Sequence, residues 1–220
     1  MTRDNSAPAA AGSGPAHGKG RRLHHGNRHG RSESARRAVL EAADDLLVEK
    51  GFAGVTMEGI AARAGVAKQT VYRWWSSRTD VLMDAFLQDA AEDLVPPDHG
   101  DLGRELRTHM RRLAWFLGES DAGAVFRALI GQAQHDRDFA AHFRSRFFAD
   151  QRRRDRLPLE RAVQRGELAP DVDVDAEADQ LVGPVYYRVL VAGEPVRRDY
   201  CDRLVSEFLR RTAAAPPPSR

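Results

Sequence analysis

From Ser32 onward the apolar side chains of this chain recur every three or four positions, and no stretch alternates apolar and polar residues as a strand does. That period restricts the fold before any motif is considered: the chain is expected to be all-α, each helix burying one stripe against its neighbours. A first helix is expected over 34–50, because Val39, Leu40, Ala43, Leu46 and Leu47 share one face. Glu33 suits its positive N-terminal end, Lys50 its negative C-terminal end, and Gly51 its stop. Thr56 is placed to cap a short helix through Ile60 and Ala64, which Gly65 ends, and a second short helix follows over 68–74. Another amphipathic helix starts near Arg78 and carries Val81, Leu82, Ala85, Phe86 and Leu94. Pro96, Pro97 and Gly100 then separate a small head (32–95) from a larger body (101–213). Body helices are expected over 101–118, 121–134 and 137–156, then from about Pro158, then over 175–192 and 197–213. Pro158 fits a first helical turn or a kink in one longer helix.

The ends differ from this pattern. Residues 1–31 are rich in Gly, Ala, Pro, His and Arg, with Leu23 as the large apolar side chain, and cannot bury enough surface to offset their chain entropy. They are expected to be a disordered basic tail, and 214–220, with Pro216, Pro217 and Pro218, a frayed one. The net charge of +2 hides a split: six basic residues against Asp4 give residues 1–31 a charge of +5, leaving −3 for the remainder. Bulk charge therefore does not identify a nucleic-acid partner; local placement must. Lys19, Lys50 and Lys68 are the lysines, so 31 of the 34 basic residues are arginines, which with the many alanines reads as codon bias. No apolar run approaches a membrane span and no apolar leader is present, so a cytoplasmic location and no membrane partner are expected. Cys201 is the one cysteine, which excludes an intrachain disulfide and a cysteine-cluster metal site. No metal and no cofactor are expected: His24, His25 and His29 sit in the tail without Cys or acidic partners. There is no Walker loop, dinucleotide glycine fingerprint, nucleophile elbow or His-Glu metal motif, so an enzyme is not expected.

The informative stretch runs from Val55 to Trp75. Two short helices around a tight turn must approach closely, and Ala61, Ala64 and Gly65 supply the small residues this needs. Ile60, Val66, Val71 and Trp75 can form a core beneath them. The second helix then exposes Lys68, Gln69, Thr70, Tyr72 and Arg73, donors, a hydroxyl and an aromatic of the kind that read base edges and phosphates in a major groove. A helical hairpin serving only as core, or a helix-turn-helix adaptor that acts through protein contacts with little specific DNA binding, would carry the same period.

At these residues the sequence resembles the TetR (tetracycline-repressor-like) family. Thr56, Ile60-Ala61, Ala64-Gly65-Val66, Thr70-Val71-Tyr72, Trp75, Ser77-Arg78 and Leu82 follow that family's DNA-binding head. The resemblance implies a sequence-specific, ligand-responsive repressor that binds double-stranded DNA as a homodimer on an inverted repeat. It implies that Thr56 and Tyr72 touch the DNA backbone, that Lys68, Gln69, Thr70 and Arg73 face the groove, and that Trp74 and Arg78 hold phosphates. Trp75 stands where the family usually has Phe, and Ala67 departs from the frequent Ser. The basic tail is a candidate minor-groove arm.

The resemblance extends more loosely to Gly166-Glu167-Leu168, Gly183-Pro184, Tyr186-Tyr187-Arg188 and Gly193-Glu194-Pro195. It implies a body in which the last two helices pair with their two-fold mates and a pocket takes a small-molecule effector. Leu181, Val182, Val185, Tyr186, Val189 and Leu190 form an apolar face wider than one neighbour would use, and Val196, Leu204, Val205, Phe208 and Leu209 form another. Leu181, Val185, Val189, Leu204 and Phe208 are the candidate dimer residues. Trp115, Phe116, Phe126, Phe139, Phe143, Phe147 and Tyr186 are the candidate pocket lining, with His109, Gln132 or His135 as polar groups. Aromatic residues at this spacing serve equally as core. The run from Arg152 to Arg156 reads as a solvated helix face, and Cys201 as packing.

Overall fold

The computed structural model describes residues 26–212, with side chains from Ser32 onward, and those residues are all-α. The head is α1 (Gly26–Gly54), α2 (Met57–Ala64) and α3 (Lys68–Trp74), joined to the body by α4 (Arg78–Asp93). The body is α5 (Leu102–Gly118), α6 (Asp121–Ala133), α7 (Arg137–Phe143), α8 (Ala149–Arg165), α9 (Val174–Tyr187) and α10 (Arg198–Thr212). π-helical turns at Arg144–Phe148 and Arg188–Ala192 follow α7 and α9. None of these helices is long and apolar enough to cross a membrane.

The local signals explain most boundaries. Thr56, Ser77, Asp101, Ser120, Asp136 and Asp173 each accept a backbone N–H of the first turn that would otherwise lack a partner. At α4 the cap is reciprocal, the Asp80 carboxylate accepting the Ser77 N–H while Ser77 Oγ accepts the Asp80 N–H. Gly51 takes φ 67°, ψ 171° and breaks the helical path of α1 where the stop was expected.

Three expectations are corrected. α1 begins at Gly26 rather than near Ser34, so the last part of the segment assigned to a disordered tail is helical; residues 1–25, with His24 and His25, lie outside the described residues, as do 213–220. Of the two readings of Pro158, a new helix start is not found: it lies buried in the interior of one longer helix, α8, which forgoes the backbone hydrogen bond that proline cannot donate. The run Arg152–Arg156 is not wholly solvated, because Asp155 turns inward and is only 6% exposed.

Head and body share one apolar core, in which α1 and α4 pack on α6, α5 on α8, and α10 on α5. α6 crosses close to the end of α5, where a Cβ on Gly123 would stand 2.4 Å from the Leu117 carbonyl oxygen. The connection between α4 and α5 is pinned rather than loose. The fully buried Glu105 carboxylate accepts the N–H groups of His99 and Gly100 and pairs with Arg165, while Arg112 and Arg161 donate to the carbonyls of Val95 and Pro97.

Candidate nucleic-acid interface

α2 and α3 meet around Gly65, whose left-handed conformation (φ 66°) lets its N–H and that of Val66 close the end of α2. Ile60, Ala61, Val71 and Trp75 are buried beneath the pair, with Val66 partly buried against them. Lys68, Gln69 and Arg73 are exposed on α3, Thr70 half-buried, and Tyr72 46% exposed. The predicted groove face is therefore an outward surface of one helix, flanked by exposed Thr56 at the start of α2.

Two predicted contacts have structural duties as well. Thr56 Oγ1 accepts the Gly59 N–H at 3.0 Å, so it caps α2. Arg78 donates to the Val55 carbonyl at 2.7 Å and lies 4.5 Å above the Phe52 ring, clamping the α1–α2 turn onto α4. Trp74 is half-buried, edge-on to Trp75, with the Arg73 guanidinium over its ring.

Glu58 and Asp84 were missed by the sequence reading. Glu58 projects from α2 across α3, where it pairs with Lys68 Nζ and accepts from Tyr72 Oη at 3.5 Å. The Lys68 ammonium lowers the Glu58 pKa, and the carboxylate raises that of Lys68. Asp84 of α4 joins three elements. Its Oδ2 accepts from Trp75 Nε1 and Arg36, both at 2.9 Å, and its Oδ1 from Arg146 of the first π turn at 2.8 Å. Burial pushes the Asp84 pKa up, but these donors outweigh it and hold the group below its ordinary value. The signal for Asp84 was an acidic residue bordering the apolar stripe of Val81, Leu82, Ala85 and Phe86.

In the body, Phe116, Phe126, Phe143 and Phe147 are fully buried and each closes on Phe86, the last three also on one another, with centroids 4.7–6.3 Å apart. They form a solid aromatic core. Trp115 points the other way, 47% exposed, at an arginine-lined groove of about 430 Å³ beside the start of α10. Tyr186 borders both the aromatic core and a separate recess against α8. Of the candidate dimer residues, Leu181, Val185 and Phe208 are buried within the chain, and Val189 and Leu204 are half-buried. The outward stripe of α9 and the π turn after it is instead Ala176, Gln180, Tyr187 and Val191, because one face of α9 is already covered by α5 and α8. Cys201 is buried, as a packing residue would be.

Among the described residues, an all-helical fold whose second short helix offers a polar outer face on a buried hairpin has the geometry of the helix-turn-helix class. The family profile "Bacterial regulatory proteins, tetR family" matches residues 39–85, and "Tetracyclin repressor-like, C-terminal domain" matches residues 96–208. The chain belongs to the TetR family of bacterial transcriptional regulators. It is 42% identical to the HTH-type transcriptional regulator YdeS of Bacillus subtilis, over 84% of this chain and 92% of that one. A DNA-binding transcriptional repressor TetR from Mycobacteroides abscessus is 29% identical, over 81% of this chain and 94% of that one. The crystal structure of the TetR family transcription regulator SCO0332 is 34% identical, with a TM-score of 0.70, covering 80% of this chain and 97% of that one. These relatives are regulators, not enzymes, and the chain is a DNA-binding transcriptional regulator.

Proposed function

We propose that the protein represses transcription as a homodimer on an inverted-repeat operator and is released by a small effector bound in its body. The observation that carries this reading is the outer face of α3, where Lys68, Gln69, Tyr72 and Arg73 stand exposed together beside Thr56. One such helix reads one half-site, and a pair must be held about 34–36 Å apart to read two. The exposed stripe Ala176, Gln180, Tyr187 and Val191 supports pairing through α9 and the π turn after it. The name of the Mycobacteroides relative favours repression over activation.

Arg146 and Asp84 supply a route between body and head. Asp84 holds the Trp75 indole at the end of the reading helix, and Arg146 sits on the π turn that also carries Phe147 into the aromatic core. A shift of that turn therefore acts on α3 through two side chains.

Fluorescence anisotropy on DNA from around the protein's own gene, at several salt concentrations and against a scrambled duplex, tests the reading. Tight binding to one inverted repeat with two chains per site is the expected result. Equal, weak binding to both duplexes would favour an adaptor that works through protein contacts.

A further inference from the structure

Between α8 and α9 lies a recess of about 290 Å³, walled by Phe148, Val182 and Tyr186 and bordered by Gln151, Asp155 and Gly183. Two polar groups border it, and one of them lacks a partner. The Tyr186 hydroxyl is buried and has no hydrogen-bond partner among the described residues. A hydroxyl left this way costs about 1–3 kcal/mol, so such an atom in a native fold calls for an occupant.

The second group is Asp155. Both of its hydrogen bonds fall on Oδ1, from His109 Nε2 and Gln151 Nε2, each at 2.8 Å. Among the described residues no arginine pairs with it, in a chain holding 31 of them. Arg154 contacts Gln151 Oε1 instead, and Arg152 is drawn to Asp175 and Asp179 at the mouth. His109 is buried and its Nδ1 has no partner among the described residues. The carboxylate is thus held by His109 and Gln151, with the Arg154 charge acting on it from outside hydrogen-bond reach, while Arg152 and Asp179 face each other as an ion pair on the lining.

We propose that this recess binds an organic ammonium carried on an aromatic body, its N–H groups donating to the Asp155 carboxylate and the Tyr186 hydroxyl oxygen and its ring lying against Phe148 and Tyr186. The proposal rests on the effector-responsive reading above and gives that effector a chemical class. A cation in an aromatic-walled recess is favoured both by a carboxylate that has no arginine partner and by the ring faces. Phe148 belongs to the π turn that carries Arg146, so an occupant pressing on it reaches the link to the head.

The test is calorimetric titration of the full chain with phenethylamine, and with phenethyl alcohol and hydrocinnamate as neutral and anionic counterparts. The amine is expected to bind at least about tenfold more tightly than the alcohol, and the carboxylate not at all. Asp155→Asn should erase the preference for the amine over the alcohol. Tyr186→Phe removes an unpartnered hydroxyl and keeps the ring, so it should fold as stably as the parent yet bind the amine about tenfold more weakly. Binding of hydrocinnamate as tight as that of the amine, an amine affinity unchanged in Tyr186→Phe, or no heat from the amine would each overturn the assignment. Operator release is read separately by anisotropy: release by other compounds with no amine binding sinks the site alone. Amine binding without release sinks the effector role and leaves the site standing.

Discussion

Replacing Asp44 by Asn should stabilise the protein, and more so as the pH rises. Asp44 lies on α1, and its Oδ1 is buried without a hydrogen-bond partner. Burial comes first in raising its pKa from the ordinary 3.8 to about 8, followed by the charges of Asp89 on α4, Asp45 on α1 and Asp121 on α6. Asp89, in the same cluster, is pushed up to about 6 by burial and by Asp93, Glu92 and Asp121. Between pH 3.8 and about 8 the folded chain keeps the Asp44 proton that the unfolded chain has released, so stability falls as pH rises through that window. Near pH 7.5 the difference spans about 3.6 pH units, a ceiling of about 5 kcal/mol at 1.36 kcal/mol per unit. Asp44 is not sealed from water, and screening reduces this to about 2–4 kcal/mol. Asn preserves the shape and cannot ionise. Urea unfolding followed by tryptophan fluorescence should therefore show a gain of about 2–4 kcal/mol near pH 7.5, shrinking to about 1 near pH 5. A loss of stability, or a gain indifferent to pH, would refute the picture of an unpaired acid buried where α1, α4 and α6 meet.

Other outcomes follow from single contacts. Thr56→Ala removes the α2 cap and should cost about 1 kcal/mol in thermal or urea unfolding. Lys68→Ala should weaken operator binding while sedimentation shows the same oligomeric state as the parent, and should lower the salt slope by about one; unchanged affinity would remove Lys68 from the interface. Gly123→Ala should destabilise by about 1–3 kcal/mol, because the obstructing atoms are the backbone carbonyls of Leu117 and Phe116. Asp84→Ala should cost about 2–3 kcal/mol by leaving the Trp75 indole N–H unpaired. Arg146→Ala, on an exposed side chain, should leave stability within about 0.5 kcal/mol but blunt release of operator by effector, and an undiminished response would exclude this route.

The bounds of α2 and α3 could be read from sequence because each end is decided locally: Thr56 caps, Gly65 turns left-handed, and Val71 and Trp75 fall on one face. What escaped was set by partners distant in sequence. Asp84 gains its meaning from Arg146, 62 residues away, and Asp155 from His109, 46 residues away. Period alone could not separate a lining phenylalanine from a core one, and Phe116, Phe126, Phe143 and Phe147 proved to be packed solid. Nor could it tell which side of α9 its own chain covers, so Leu181 and Val185 were assigned to a dimer face when they are buried within the chain.

The pinned connection after α4 has a mechanical consequence. With Glu105 gripping His99 and Gly100, and Val95 and Pro97 tied by arginines, the segment is a fixed pivot and offers the head little slack. The sixteen residues of α4 then form a lever about 24 Å long. A tilt of about 5° at the body end swings the far tip by roughly 2 Å, and mirrored in a second copy it opens the gap between heads by about 4 Å, more than one base-pair step of roughly 3.4 Å. In the proposed homodimer, small rotations at the pivot would put the two reading helices out of step with the DNA, with no need for either head to unfold.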